Sequence, residues 1–221
     1  MNTLADLKKY CPDVDTLVVN DCSRDRTLAI LEENCINHLD LVKNLGIGGA
    51  VQAGYIYARD FGYDIAIQFD GDGQHEAIYL ESLIQPLEAG KADIAIGSRF
   101  MEKKGFQSSG ARRTGINLLS HIIRMLCGVQ VLDVTSGMRA VNRCFIEEYA
   151  AHYAQDFPEP EALLYAGLKG AIIHEFPVQM RKRENGKSSI SPLKSVYYMA
   201  KVSLALFLEW LTFDRKGDRK I

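Results

Sequence analysis

The stretch that decides the fold runs from Ile65 to His75 and reads IAIQFDGDGQH. Its first five residues are mostly apolar and alternate poorly, which is typical of a strand buried in a parallel sheet. In open α/β sheets, ligands bind just beyond the carboxyl ends of such strands. We therefore expect the polar residues from Asp70 onward to lie at a ligand site.

Asp70 and Asp72 are the residues of this stretch that indicate a particular chemistry. Two carboxylates separated by one glycine repel each other unless a cation lies between them. Hard oxygen ligands suit Mg²⁺ or Mn²⁺, which in turn hold a substrate diphosphate. The alternative is an ordinary turn, rich in Asp and Gly, between a strand and a helix. A plain turn does not need several oxygen ligands, so the pattern favours the metal site.

Length and composition fit one α/β domain with no nucleic-acid partner. The 221 residues carry a formal net charge of −2, so there is no basic excess. The five cysteines include no C-x-x-C pair, and their odd number argues against a disulfide framework. A cytoplasmic location fits best. We find no signal-peptide pattern at the start and no apolar stretch long enough to span a bilayer.

Strand-like and helix-like runs alternate up to Arg99, which predicts βαβ units on a mostly parallel sheet flanked by helices. The predicted strands cover 16–20, 39–43, 65–69 and 92–97, and the predicted helices cover 26–34, 50–61 and 78–89.

Beyond Arg99 the alternation breaks, and the polar segment 103–110 predicts a loop. We expect an α/β domain over residues 1–191 and a C-terminal amphipathic helix within 192–221. Further helices are predicted at 113–126, 144–154, 161–168 and 192–213, and further strands at 136–142 and 172–180.

Seven motifs together resemble family 2 glycosyltransferases with a GT-A, Rossmann-like fold. The closest resemblance is to the branch of dolichyl- or polyprenyl-phosphate mannosyltransferases, over roughly Asp15 to Ser189. It implies inverting transfer of a sugar from a GDP- or UDP-linked donor to a lipid phosphate or cell-envelope acceptor. The motifs are VVNDCSRDRT, NLGIGGAVQAGY, FDGDGQH, GSRF, DVTSGMRAVNR, FPEPE and RENGKSS.

For the acidic stretch, the resemblance implies specific roles. Asp70 would lie near the sugar nucleotide, Asp72 would bind Mg²⁺ or Mn²⁺, and Gln74 would add a carbonyl ligand. The metal would neutralise the charge that builds up on the departing diphosphate. Asp21 would bind the base or ribose, although a residue that caps a turn is the alternative.

The resemblance also implies a basic acceptor site. Arg99 and one of the pair Arg112 and Arg113 would hold the acceptor phosphate, because arginine forks match phosphate geometry. Arg99 is counted with Asp70 and Asp72 as catalytic. A solvated basic face is the alternative. Further substrate-binding candidates are Ser120, Arg139, Glu161, Arg183 and Lys187.

Three of these further candidates could have a structural role in place of substrate binding. Arg139 would otherwise pair with Asp133 as a structural ion pair. Arg183 and Lys187 flank Gly186 in a segment that would close over the diphosphate, or else form an exposed run of charges. No general base is named, because an acceptor phosphate is already anionic near neutral pH.

The glycines in Asn44–Gly49 are expected to precede a helix and to shape the nucleotide site. The segment meets neither the P-loop pattern nor the dinucleotide fingerprint. At the start of the chain, Asn2–Tyr10 predicts an amphipathic helix. Family members begin with a strand and loop before that helix, so the first strand is expected to be absent. A misassigned start, a fragment, or another segment filling the gap would each account for this.

Two alternatives to an active transferase stay open at this point. One is an inactive, truncated protein that binds a nucleotide or a partner. The other is a nucleotidyltransferase, although we see no N-terminal Gly-rich signature with a lysine. The helix at 192–213 is expected to bind the inner face of the membrane peripherally, and packing on the sheet or on a second subunit is the alternative.

Overall fold

The computed structural model describes residues 2–102, 110–181 and 192–213. Helices and strands alternate along most of the chain, and the predicted α/β class is confirmed. The elements are α1 (Asn2–Tyr10), β1 (Val18–Asn20), α2 (Thr27–Glu33), β2 (His38–Asp40), α3 (Gly46–Asp60), β3 (Ile65–Gln68), α4 (Leu80–Glu88), β4 (Ile94–Ser98), α5 (Gly110–Cys127), β5 (Arg139–Asn142), α6 (Arg143–Ala151), α7 (Pro158–Lys169), β6 (Ile173–Pro177) and α8 (Pro192–Thr212).

The strands of the described residues form two sheets. β1 and β2 make a parallel pair, and the other four strands lie in the order β3-β5-β4-β6. β4 and β6 are parallel, whereas β5 runs antiparallel to both β3 and β4. In β3, Gln68 is buried and the three residues before it are partly buried, and the described strand neighbour is antiparallel and not parallel as expected.

The apolar character of β3 comes from burial on both faces and not from a parallel neighbour. Ile65 and Ile67 pack into a cluster with Leu80 and Leu83 of α4. Ala66, between them, packs into the larger cluster with Tyr55 of α3. Helices on both sides of the sheet therefore produce a continuous apolar run whichever way the neighbouring strand points.

α8 packs on α5 and α7, and its residues Val202 and Leu206 are fully buried in the larger cluster. Its opposite face is exposed at Tyr197, Leu204 and Leu208. Among the described residues, no helix combines the length and the apolar character that crossing a membrane requires.

Candidate active site

The Asp70 loop, residues 70–76, follows β3 directly and forms a tight turn. The Asp72 carboxylate accepts a hydrogen bond from the Gln74 backbone N–H at 3.0 Å. Gly73 has a φ of +76°, a conformation that a residue without a Cβ adopts freely. The turn interpretation therefore holds locally, and it leaves the Asp70 side chain about half exposed at the end of the strand.

Asp70 is held from behind by Gly137 and His75. A Cβ on Gly137 would overlap the Asp70 carboxylate oxygens, so only glycine leaves room for them. The imidazole Nε2 of His75 lies 3.6 Å from Asp70 Oδ2, and the His75 side chain is buried. Neither ring nitrogen of His75 has a hydrogen-bond partner in the described residues. Two buried neighbours thus fix the position of an otherwise exposed carboxylate.

Glu159, in the first turn of α7, adds a third acid near Asp70. Burial raises the pKa of Glu159 above its usual value, the nearby Arg139 guanidinium lowers it, and the Asp70 charge raises it further. The sequence analysis selected Glu161, the second acid of the FPEPE motif, and not Glu159. The spacing of the two acids in the FPEPE motif could have distinguished them. Residues two apart on a helix point in different directions, so only one of the two acids can face the Asp70 loop.

Glu161 faces α8 and not the Asp70 loop. Its environment contains Glu209, Asp156 and the Phe157 backbone, and burial is the main reason that its pKa rises to about 7. Oε1 of Glu161 has no hydrogen-bond partner in the described residues. The structure therefore does not bring Glu161 together with Asp70 and Asp72.

The Arg139 side chain holds backbone carbonyl groups in place and does not pair with Asp133. The alternative of a structural ion pair between Arg139 and Asp133 was therefore wrong. Its guanidinium donates to the carbonyl oxygens of Ser136 at 2.8 Å, Val134 at 3.0 Å and Glu159 at 2.7 Å. The residue is 2% exposed. Arg139 thus joins the 128–138 loop to the start of α7, which places Gly137 and Glu159 on either side of Asp70.

Arg99, and not Arg139, forms the ion pair with Asp133, and its predicted contact with the acceptor phosphate stays a prediction. Its Nε and Nη2 donate to the two carboxylate oxygens at 2.6 Å each, and its backbone N–H donates to Oδ2 at 3.1 Å. Nη2 also donates to Thr135 Oγ1 at 3.0 Å, and Arg99 is 6% exposed. The buried Arg99 guanidinium is hydrogen-bonded to both carboxylate oxygens of Asp133. It therefore anchors the 128–138 loop and does not face an acceptor in this structure.

The first turns of α5 bring a second arginine to the same loop. The Arg113 guanidinium lies 3.5 Å from the centre of the Phe100 ring, and its Nη1 has no hydrogen-bond partner in the described residues. Burial lowers the pKa of Arg113, and the Asp133 carboxylate opposes this. Arg112 is exposed and lies near Tyr198. Ser120 donates to the Val131 carbonyl, which is a structural contact.

Asp21 caps α3. Its carboxylate accepts hydrogen bonds from the backbone N–H groups of Leu45 at 2.6 Å and Gly46 at 2.9 Å. The capping alternative is thus observed, and both carboxylate oxygens face backbone donors. α3 consequently starts at Gly46, four residues before the predicted start, and the glycines form its first turn.

Gly48 shows why that first turn is glycine-rich. A Cβ there would meet the backbone of Ala154 and Gln155 at less than 3 Å. Gly48 therefore lets α3 approach the segment after α6, and α6 itself is the helix with which α3 makes its main contacts. Close packing is thus the observed role of Gly48.

The Asp70 loop is connected to the start of the basic segment. Arg181 N–H donates to the Gln74 carbonyl at 2.9 Å, and Gln74 Nε2 donates to the Arg181 carbonyl at 3.4 Å. Arg181 also forms ion pairs with Asp6 of α1 and Glu76. Arg183 and Lys187 lie outside the described residues, so their predicted roles stay predictions.

The oxygen donors at Asp70, Asp72 and Gln74 fit a hard divalent cation. No group of three or more acidic, histidine or cysteine side chains in the described ranges forms a ready-made metal cage. A Mg²⁺ site with one or two carboxylates, several waters and substrate phosphates needs no such cage. The partly exposed carboxylate of Asp70, fixed from behind by buried groups, matches that kind of open site.

Comparison with known families defines the class. The model of the family described as Glycosyl transferase family 2 matches residues 2–150, more than half of the chain. The chain belongs to this family and is a glycosyltransferase.

Two individual relatives show which members of the family this chain is similar to. The chain is 31% identical over 191 residues to polyprenol monophosphomannose synthase of Mycolicibacterium smegmatis, covering 82% of this chain and 72% of that protein. It is 29% identical over 203 residues to undecaprenyl-phosphate mannosyltransferase of Micrococcus luteus, covering 86% and 81%.

Solved structures confirm the GT-A-like fold. Glucosyl-3-phosphoglycerate synthase from Mycobacterium tuberculosis, in complex with phosphoglyceric acid, aligns with a TM-score of 0.64 at 20% identity. That alignment covers 98% of this chain and 79% of the other. The same enzyme bound to Mn²⁺, UDP and glucosyl-3-phosphoglycerate aligns with a TM-score of 0.63 at 18% identity, covering 98% and 79%.

Proposed function

We propose that this protein transfers a sugar, with inversion and with the help of a divalent metal, from a nucleotide sugar to a polyprenyl phosphate. The observation that carries the proposal is the Asp70 loop at the carboxyl end of β3, where Gly137, His75 and Glu159 surround the Asp70 carboxylate. Relatives named as lipid-phosphate mannosyltransferases support the acceptor class. The family membership favours glycosyl transfer over the nucleotidyl transfer that the sequence left open.

On the donor side, Asp72 and Asp70, with the Gln74 carbonyl, would hold Mg²⁺ or Mn²⁺. When bound, the metal would neutralise negative charge on the leaving diphosphate. The Mn²⁺ and UDP bound in the M. tuberculosis enzyme support this assignment. Asp70 additionally faces the sugar, and its position is set by the backbone of Gly137.

On the acceptor side, an anionic phosphate oxygen attacks the anomeric carbon while the bond from that carbon to the diphosphate breaks. The nucleoside diphosphate leaves, and no proton has to be removed from the nucleophile. Arg113, which is partly exposed and lies beside the Phe100 ring, is the described cation that would attract the phosphate. Arg112, Arg183 and Lys187 would extend the basic surface, and Arg99 would position the 128–138 loop.

A lipid acceptor has to be met at a bilayer surface, and α8 offers a face for this. Tyr197, Leu204, Leu208 and Leu211 are exposed at roughly helical spacing, and Lys201 lies over the Tyr197 ring. Apolar side chains next to cations suit an anionic interface. We therefore propose peripheral binding through α8. Sedimentation with anionic liposomes tests this: a folded protein that stays in the supernatant at low salt would contradict it.

The activity itself is tested by incubating the protein with labelled GDP-mannose or UDP-glucose, Mg²⁺ or Mn²⁺ and polyprenyl phosphate in detergent. We expect label in the extracted lipid, and a loss of at least about 100-fold in Asp72→Asn. Asp64→Asn is the matched control, because Asp64 precedes the same strand at its other end and is 91% exposed. Donor binding without turnover under every condition would instead support the inactive, nucleotide-binding alternative.

A further inference from the structure

The exposed surface of α5 continues the exposed surface of α8. The two helices pack side by side, and a Cβ on Gly115 of α5 would meet the Met199 sulfur of α8 at 2.7 Å. Leu118 lies three residues after Gly115 and Met125 lies two turns further on, so both lie toward the side of α5 that borders α8. Leu118 is 49% exposed and Met125 is 65% exposed.

The neighbouring side of α8 is also apolar and exposed. The Phe207 ring stacks on Trp210, with the ring centres 5.9 Å apart, and Trp210 packs against the larger core cluster. Contiguous apolar surface of this size marks an interaction site. We call the whole surface the two-helix face, and its large apolar side chains are Leu118, Met125, Tyr197, Leu204, Phe207, Leu208 and Leu211.

Positive charge is concentrated on the same two helices. The sequence of α5 contains no acid, and that of α8 contains only Glu209, whose side chain is 16% exposed and pairs with His152. The whole chain carries a formal net charge of −2, so this excess of cations belongs to these helices and not to the protein at large. The cations of the two helices are Arg112, Arg113, Arg124, Lys194 and Lys201.

This combination selects an anionic bilayer as the partner. A second copy of the chain, docked by two-fold symmetry, would bring its own cations against these cations. A nucleic acid would match the cations, but its phosphates would leave the apolar side chains unused. A bilayer that contains anionic lipids matches both, since apolar side chains enter the acyl boundary and cations meet the headgroups.

We propose that α5 and α8 bind an anionic bilayer together, with Leu118 and Met125 of α5 entering the interface beside the apolar side chains of α8. The proposal rests on the peripheral binding proposed above for α8 and adds α5 as a second membrane-binding helix. Two helices fix how the protein is oriented on the bilayer, whereas a single helix leaves the protein free to roll about its axis.

The orientation bears on the acceptor. Arg112 is exposed and lies six residues before Leu118, which is about 9 Å along a helix. The first turn of α5, with Arg112 and Arg113, therefore lies at the level of the headgroups when Leu118 is in the interface. A lipid phosphate reaches these arginines while its apolar tail stays in the acyl layer.

The test is vesicle binding by the full chain and by Leu118→Ser/Met125→Ser. With vesicles of phosphatidylcholine and phosphatidylglycerol, we expect the double variant to lower the partition coefficient by at least about tenfold, because two large apolar side chains no longer leave water. Phe61→Ser/Ile78→Ser is the matched control, since these side chains are 67% and 52% exposed on other elements. It should bind like the parent, and both double variants should keep the parent's thermal midpoint within a few degrees.

Trp210 provides a second measurement that needs no substitution. It is the single tryptophan of the chain, so the intrinsic tryptophan fluorescence reports on the two-helix face. Anionic vesicles with brominated acyl chains should quench this fluorescence in the parent. Vesicles of phosphatidylcholine alone should bind at least about tenfold less, because several cations lose their attraction to the surface.

Four results would overturn the proposal. Equal partitioning of Leu118→Ser/Met125→Ser and the parent would leave α8 as the membrane-binding helix without α5. Equal binding to neutral and anionic vesicles would remove the anionic surface as the partner. A dimer in sedimentation equilibrium that the same double variant dissociates would identify a second copy as the occupant. A folded parent that binds no vesicles would overturn this proposal and the binding through α8 together. Vesicle binding without sugar transfer would contradict the proposed activity alone and would support the membrane face.

Discussion

The two sides of β3 differ in how completely their polar groups are held. On the β5 side, Arg99 and Asp133 form a buried fork, and Arg139 donates to three carbonyl oxygens. On the β1 side, Tyr55 and Gln68 leave buried polar atoms without partners beside a cavity. We infer that the two walls beside the Asp70 loop differ in rigidity. The wall built by the 128–138 loop is rigid, and the wall beside the cavity is held by fewer polar contacts.

Among the substitutions considered, Arg99→Ala should destabilise the rigid wall most. The substitution leaves the Asp133 carboxylate buried without its charge partner, which costs about 3–5 kcal/mol of unfolding free energy. Urea unfolding measures this. Arg26→Ala is the control, since its ion pair with Glu33 is exposed and is worth under about 1 kcal/mol. Equal losses in the two variants would mean that the fork does not hold the wall.

Gly137→Ala separates the position of Asp70 from the stability of the fold. The new Cβ would push the carboxylate aside, and a misplacement of about 1 Å lowers transfer roughly 100-fold. The overlapping atoms belong to the end of a side chain that can move, so the urea midpoint should stay near that of the parent.

Gly71→Ala serves as the control for that prediction. Gly71 lies in the same Asp70 loop, and a Cβ there meets nothing within 4 Å. We expect transfer by this variant to stay within a few-fold of the parent. If both alanine variants transfer sugar equally well, the contact with Gly137 does not set the position of Asp70.

The pH dependence of stability tests the contact between α7 and α8, at the far side of the rigid wall. Burial and then the Glu209 charge raise the pKa of Glu161 to about 7. An acid whose pKa rises on folding stabilises the fold while protonated, so this stability is lost as pH rises from about 4.5 to about 7. Because the group is half exposed, we expect a loss of only about 1 kcal/mol.

Urea unfolding at several pH values measures that loss, and Glu161→Gln should remove it. Glu209 and Asp156 face Glu161, and His152 pairs with Glu209 at 3.4 Å, so these charged groups surround the site of the substitution. An unchanged pH profile in Glu161→Gln would mean that the dependence does not come from Glu161.

The smallest expected effect is a difference in unfolding free energy between variants of two tyrosines in the same aromatic cluster. Tyr149 donates to the Ala162 carbonyl at 2.9 Å, so Tyr149→Phe should lower the unfolding free energy by about 1 kcal/mol. Tyr55, whose hydroxyl has no partner in the described residues, should lose nothing measurable in Tyr55→Phe. A loss of about 1 kcal/mol in Tyr55→Phe would show that its hydroxyl is satisfied and that the cavity side is less open.

Sequence reasoning succeeded where the signal is local. The apolar run before Asp70 placed β3, and its carboxyl end placed the acidic residues at the edge of the sheet. The helix predicted at 192–213 corresponds closely to α8. Such features depend on neighbouring residues, which the sequence shows directly.

The sequence could not supply partners that lie far apart in the chain. Arg99 and Asp133 are separated by 34 positions, and nothing near either residue shows the pairing. The direction of β5 also depends on the path of the chain between β4 and β5. The helix that Asp21 caps could not be named for the same reason, because it starts 25 positions later, at Gly46. Long-range contacts of this kind decide roles that motifs only suggest.

The contact between Gln74 and Arg181 has a consequence for how motion reaches the site. Arg181 exchanges hydrogen bonds with Gln74 of the Asp70 loop and forms an ion pair with Asp6 of α1, so one residue joins the loop to that helix. A displacement of α1 would therefore be transmitted to the loop that carries Asp70 and Asp72.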